Sequence, residues 1–91
     1  MPAKRRPGHS YSVYVGLYAT QEVKDAVARN EEDFTVPSHF AAQLFYSGSS
    51  LAQAERNFTR AAIMAMNNPL AFEVVMKRDS QTIIRVKAEQ F

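Results

Sequence analysis

Few side chains in this chain have the types and spacing that catalysis requires. The histidines His9 and His39 are far apart and have no second ligand at helical or turn spacing, so they make a weak zinc site. The glycines Gly8, Gly16 and Gly48 form neither a GxxxxGK nor a GxGxxG phosphate-binding loop. We therefore expect no metal site, no cofactor and no enzymatic activity.

Other polar clusters have structural explanations. The acidic run at residues 31–33 is consecutive, so its side chains point in different directions and lack the alternate spacing of a calcium loop. The serines within residues 47–50 have no GxSxG context, whereas turn and helix-cap roles account for them. The chain has no cysteine, which excludes disulfides and thiol nucleophiles and favours a reducing, cytoplasmic location.

Aromatic and basic side chains recur where strand alternation would place them on one sheet face. The candidate partner-binding residues are Tyr14, Tyr18, Phe45, Arg85 and Lys87, joined by the N-terminal cations Lys4, Arg5 and Arg6. RNA-recognition modules hold single-stranded bases on such a face, although the RNP signatures are missing here. The alternative is ordinary packing of the tyrosines under a loop, inside a dimer interface, or in cross-strand pairs with Glu73 and Thr82.

Composition favours a protein partner over a nucleic acid. The net charge is +2, and Lys4, Arg5 and Arg6 supply three of the 11 basic residues, so the remaining chain is slightly acidic. Tyr, Phe, Met and Arg are enriched at protein interfaces, and this chain has 4 Tyr, 6 Phe and 4 Met. We expect a protein-binding module; the alternative is a small domain that binds RNA or single-stranded DNA. A homodimer through an edge strand or the tyrosine face is also compatible with the sequence.

The elements that must position these residues begin after a basic arm at residues 1–9, and residues 10–91 are predicted to form one domain. Residues 10–19 alternate with a period of two and predict a strand. Thr20 is a candidate N-cap for a short helix that ends near Asn30. Residues 39–48 fit a helix and a strand equally well by periodicity; the β-favouring Leu44–Tyr46 and the turn that follows favour a strand.

The second half of the chain predicts a long helix and a hairpin. Ser50 and Gln53 form a capping-box pattern before an apolar stripe, and the helix is expected to stop near Met66, where Asn67 and Asn68 can adopt the left-handed conformation. Phe72, Val74 and Met76 alternate with polar residues and are expected on one face of a strand. Asp79-Ser80 is a candidate tight turn before a last strand over residues 82–87.

The expected order is therefore βαβαββ, an α+β fold with a mostly antiparallel four-stranded sheet and two helices on one face. No stretch approaches the run of about 18 apolar residues that a membrane-spanning helix needs, and no export signal is visible. We expect a soluble protein without a membrane partner.

The run from residue 42 to residue 88 carries a strand that ends in Tyr46-Ser47-Gly48 and a capped helix that contains Ala54-Glu55-Arg56 and Phe58. In these features it resembles small orphan accessory proteins of phages and bacterial mobile elements. The resemblance assigns no catalytic residue. It implies a protein that modulates or inhibits a host protein in the host cytoplasm.

Overall fold

A four-stranded sheet and two helices make up the computed structural model, which describes residues 8–29 and 39–87. The strands are Tyr11–Tyr18 (β1), Phe40–Gly48 (β2), Ala71–Arg78 (β3) and Gln81–Lys87 (β4), and the helices are Gln21–Ala28 (α1) and Leu51–Met66 (α2). Neighbouring strands are antiparallel in the spatial order β2-β1-β3-β4. The predicted α+β class, the order βαβαββ and the choice of strand for β2 are confirmed.

The connection through α2 passes over β1. Strands β2 and β3 flank β1 and are both antiparallel to it, so they are parallel to each other and α2 joins them as a crossover. Helix α2 packs on β1, β2 and β3. Helix α1 contacts β1, and its Lys24 ammonium donates a hydrogen bond to the Pro69 carbonyl in the α2–β3 connection.

The core lies between α2 and one face of the sheet. Three small residues of α2, Ala54, Ala61 and Ala65, are buried there together with β-branched side chains such as Val13 and Val15. The alanines follow the helical period and the valines follow the strand period, so each element presents one apolar surface. Alanine side chains let the helix approach the sheet closely, and β-branched residues fill the space between strands.

Both helices begin at the predicted caps. The Thr20 hydroxyl accepts a hydrogen bond from the Val23 N–H at 3.1 Å, and the Ser50 hydroxyl accepts one from the Gln53 N–H at 3.2 Å. In a full capping box, the Gln53 side chain would also accept a hydrogen bond from the Ser50 N–H. Here the Ser50 N–H donates instead to the Tyr46 hydroxyl at 3.0 Å. The start of α2 is thereby anchored to β2.

The end of α2 differs from the prediction of a left-handed asparagine. Asn67 has φ −105°, and among the described non-glycine residues only Asp79 and Ser80 have positive φ. The chain turns by another route: the Asn68 side-chain oxygen accepts a hydrogen bond from the Leu70 N–H at 2.9 Å. An asparagine side chain can replace a backbone acceptor in such a turn, so the left-handed conformation is unnecessary.

The predicted Asp79-Ser80 turn is confirmed, with φ 51° and 70°. The Asp79 carboxylate also accepts hydrogen bonds from the Ser10 N–H at 2.9 Å and from His9 Nδ1 at 2.6 Å, and the Asp79 N–H donates to the Ser10 carbonyl at 2.7 Å. His9, predicted to belong to the arm, is thus held against the hairpin. Residues 1–7, which include Lys4, Arg5 and Arg6, lie outside the described residues.

A bulge in β3 moves Phe72 to the face of the sheet opposite Val74. The register between β1 and β3 shifts after Gly16, so Ala71 pairs with Leu17 and Phe72 is the extra residue. Ala71 joins the core, whereas Phe72 lies over Gly16 on the opposite face. The expectation that Phe72 shares a face with Val74 is therefore wrong.

Candidate functional site

The sheet has a second face, opposite α2, which we call the open face. Tyr14 points to it, together with its register partners Leu44 in β2 and Val75 in β3. The predicted residues Tyr18, Arg85 and Lys87 belong to the same face, because they alternate in register with Tyr14 and Val75. The open face therefore unites four of the candidate residues.

Three aromatic rings form a cluster at one end of the open face. The ring centroids of Tyr18 and Phe72 are 4.8 Å apart, those of Phe40 and Phe72 are 5.7 Å apart, and those of Tyr18 and Phe40 are 6.0 Å apart. These separations and tilted geometries are typical of favourable ring pairs. We call Tyr18, Phe40 and Phe72 the ring cluster.

Gly16 makes the ring cluster possible. A Cβ atom at this position would lie 2.9 Å from Cζ of Phe72, closer than packed side chains approach. The glycine thus provides the space into which the Phe72 ring settles above the sheet. The ring cluster depends on a residue that carries no side chain.

The basic side chains of the open face have partners on the same face. Arg85 Nε lies 3.1 Å from Oε1 of Glu73, whose side chain is 15% exposed against 48% for Arg85. Lys87 is the register partner of Glu73. The Lys77 ammonium lies 5.6 Å from the centroid of the Tyr14 ring, within the range of a cation–π contact. Arg85 and Lys77 are therefore already engaged on this face, by a carboxylate and by a ring respectively.

Val75 is fully buried although it lies on the face that α2 does not cover. Its register partners are Tyr14 in β1 and Arg85 in β4, both of which have long side chains. Such side chains cover apolar surface with their stems and rings while their polar ends stay in water. The centre of the open face is thus an apolar residue, Val75, beside two longer side chains that end in polar groups.

Phe45 does not lie with Tyr14 and Tyr18 as predicted. The register between β1 and β2 shifts so that Tyr46 pairs with Val13 and Leu44 pairs with Tyr14, which makes Phe45 the extra residue of a bulge. Phe45 packs against the core. Leu44 takes the predicted place on the open face and is 62% exposed.

The described residues hold no group of three or more His, Cys, Asp or Glu side chains that could bind a metal ion.

The pKa of Asp79 is lowered, first by the hydrogen bond from the Ser10 N–H and then by the hydrogen bond from His9. That carboxylate belongs to the hairpin turn. His39 lies beside the Phe40 ring, with centroids 6.5 Å apart.

Comparison with known proteins gives no relative: no protein family profile matches the chain, and no curated protein or solved structure is significantly similar to it. Within residues 8–29 and 39–87, no helix combines the length and the apolar character needed to cross a membrane.

The sequence pattern missed several residues of the open face. The bulges in β2 and β3 hid Phe40, Phe72 and Leu44. Lys77 was considered only as a polar position of a strand, and Glu73 only as a cross-strand partner of a tyrosine, whereas its register partner in β1 is Gly16. One signal was available: Gly16 interrupts an otherwise β-favouring strand, and a glycine there often marks a close approach by another group.

Proposed function

We propose that this chain is a protein-binding module and that the open face is its binding surface. The observation that supports this proposal best is that two of its cations already contact neighbours: Arg85 is paired with Glu73, and Lys77 lies over Tyr14. A face built from rings, an exposed leucine and cations held by neighbouring side chains has the composition of a protein interface.

The contacts that Arg85 and Lys77 already make also disfavour nucleic acid as the partner. Phosphate binding needs cations that are available to the backbone, and base stacking needs rings with accessible faces. Here Arg85 already contacts a carboxylate, and the rings of the cluster pack against one another. The Glu73 carboxylate at Arg85 Nε weakens the attraction of this guanidinium for a phosphate, while its other N–H groups can still donate.

Leu44 and Tyr14 supply the apolar part of the proposed surface. They are register partners, so they lie side by side on the open face. Interface anchors are typically apolar or aromatic side chains that fill pockets of the partner. In the manner implied by the resemblance to phage accessory proteins, the partner would be a host protein whose activity the chain modulates.

The test is affinity capture from a bacterial lysate, with and without nuclease and at low and high salt. We expect one retained protein that survives nuclease and salt. Replacing Leu44 with Ser, or Tyr14 with Ser, should abolish its capture, because each change removes an anchor from the open face. The matched control for Leu44→Ser is Met66→Ser, because both changes remove an exposed apolar side chain: Leu44 is 62% exposed, and Met66, on α2, is 63% exposed. Met66→Ser should leave capture unchanged.

Two outcomes would contradict the proposal. Equal losses for Leu44→Ser and Met66→Ser would place the binding surface elsewhere. Capture of nucleic acid whose affinity falls by about 0.7 log unit per phosphate contact for a tenfold rise in salt would support the alternative of a single-stranded nucleic-acid binder.

A further inference from the structure

The two edge strands of the sheet differ in how they are protected. Strand β4 carries Arg85 and Lys87, and charged side chains on an edge discourage pairing with another sheet. Strand β2, with the sequence FAAQLFYSG, has no charged residue and no proline. Its residues from Ala41 to Leu44 are exposed. Within residues 40–48, the bulge at Phe45 is the only feature of the strand itself that protects an edge.

The backbone of β2 presents hydrogen-bonding groups on its outer side. The Ala19 N–H donates to the His39 carbonyl at 2.8 Å, one residue beyond the Tyr18–Phe40 pair. This places Tyr18–Phe40 at a non-hydrogen-bonded position of the antiparallel ladder, and such positions alternate along the strands. Ala42 and Leu44 occupy equivalent positions, so their N–H and C=O groups point away from β1.

We propose that the outer edge of β2 pairs antiparallel with β2 of a second copy of this chain, on a two-fold axis at Gln43. In this arrangement Ala42 of each copy exchanges both backbone hydrogen bonds with Leu44 of the other, which makes four bonds. The two copies then share one eight-stranded sheet. The open faces of both copies lie on the same side of it.

The side chains of β2 are compatible with a two-fold axis. Gln43 meets its own symmetry mate, and an amide can donate to and accept from a second amide. On the open face, Leu44 lies opposite Ala42 of the other copy, so an exposed leucine gains an apolar neighbour. Because no charged residue belongs to β2, the symmetry brings no like charges of this strand together.

The dimer should be reversible. Pairing through one strand buries less than the roughly 1,200 Å² of a standard stable interface, so we expect dissociation on dilution. Sedimentation equilibrium of the whole chain should show the mass rising from 10.3 kDa toward twice that value as concentration increases.

The decisive variants place the same new charge on the two edges. Gln43→Lys puts two ammonium groups face to face across the axis and should raise the dissociation constant at least about tenfold. Thr82→Lys adds a lysine at an exposed position of β4 and should leave dimerisation unchanged. Circular dichroism and thermal melting of the diluted variants verify that both remain folded.

Disulfide trapping tests the register directly, because the natural chain has no cysteine. At a non-hydrogen-bonded pair the Cα atoms are about 4.5 Å apart, within the range of a disulfide. Gln43→Cys should therefore cross-link under mild oxidation, and Thr82→Cys should not. A wild-type chain that stays monomeric at every concentration, a Gln43→Lys variant that dimerises like wild type, or preferential cross-linking through Thr82→Cys would overturn the proposal.

The dimer and the proposed binding function can fail separately. Gln43 pairs with Val15, so its side chain lies on the α2 side of the sheet and not on the open face. Gln43→Lys should therefore retain capture of a protein partner, while Tyr14→Ser should retain dimerisation.

Discussion

The two faces of the sheet are covered in different ways. On one face, α2 seals the strands with small side chains such as Ala61, packed against fully buried residues such as Val74. On the other face, which α2 does not cover, Val75 is buried equally well. The first cover is a rigid element, and the second consists of side chains that can change rotamer. The difference indicates that stability resides on the α2 side and adaptability on the open face.

The largest loss of stability is expected from a cavity in the core between α2 and the sheet. Met76 is among the largest fully buried side chains and contributes to the core under α2. Met76→Ala should lower the free energy of unfolding by about 2–5 kcal/mol, because a rigid helix cannot collapse into the space left behind. Urea unfolding followed by circular dichroism measures this loss. A loss below about 1 kcal/mol would show that the α2 side is as adaptable as the open face.

Adjacent valines allow the sharpest comparison of the two faces. Val74 and Val75 are both fully buried in β3, but they point to opposite faces. Val74→Ala should cost about 2 kcal/mol and Val75→Ala about 1 kcal/mol, since the side chains over Val75 can close the cavity. Urea unfolding of both variants in one buffer gives the difference directly. Equal costs would remove the distinction between a rigid cover and an adaptable one.

Gly16→Ala probes the packing of the ring cluster against the sheet. The new methyl group would overlap the Phe72 ring, with a strain of about 1–3 kcal/mol, against a gain of about 0.4–1 kcal/mol from restricting the unfolded chain. The net loss in the free energy of unfolding should be about 1 kcal/mol. Near-ultraviolet circular dichroism should change as the rings move. An unchanged aromatic spectrum together with a gain in stability would mean that Phe72 is not held over Gly16.

The smallest effect concerns the turn at the end of the sheet, which belongs to neither face. The folded-state pKa of Asp79 lies below its ordinary value of 3.8, because the carboxylate accepts hydrogen bonds from the Ser10 N–H and from His9. Its contribution to stability should therefore be complete above the ordinary pKa and disappear as pH falls through the folded-state pKa. Thermal melting from pH 6 downwards, compared with Asp79→Asn, isolates this contribution; identical acid profiles would contradict it.

Local signals predicted α2 most completely. Ser50 and Gln53 mark its start, and its apolar stripe follows the helical period as far as its end near Met66; these signals lie within or next to the helix. The turn at Asp79-Ser80 was predictable for the same reason. Each of these features depends on residues that are close together in the sequence.

The bulges were not predictable in this way. Phe72 and Phe45 changed faces because one strand has an extra residue relative to its neighbour, and the position of that extra residue depends on a strand elsewhere in the chain. For Phe72 the determining partner is Gly16, in a different strand. Alternation along a single strand therefore placed Tyr14, Tyr18, Arg85 and Lys87 on the correct face, and missed Phe40 and Phe72 of the ring cluster.

The central position of β1 also affects how the chain can be made. During synthesis β1 leaves the ribosome first, yet one of its two neighbours is β3, with Tyr11 paired to Arg78. Pairing of residues so distant in the sequence slows folding, and apolar strands that wait for their partners are prone to aggregate. Strand β1 therefore stays without its β3 neighbour until residues as far as Arg78 have been synthesised. Translation speed and chaperone access during that interval should then influence the yield of folded protein.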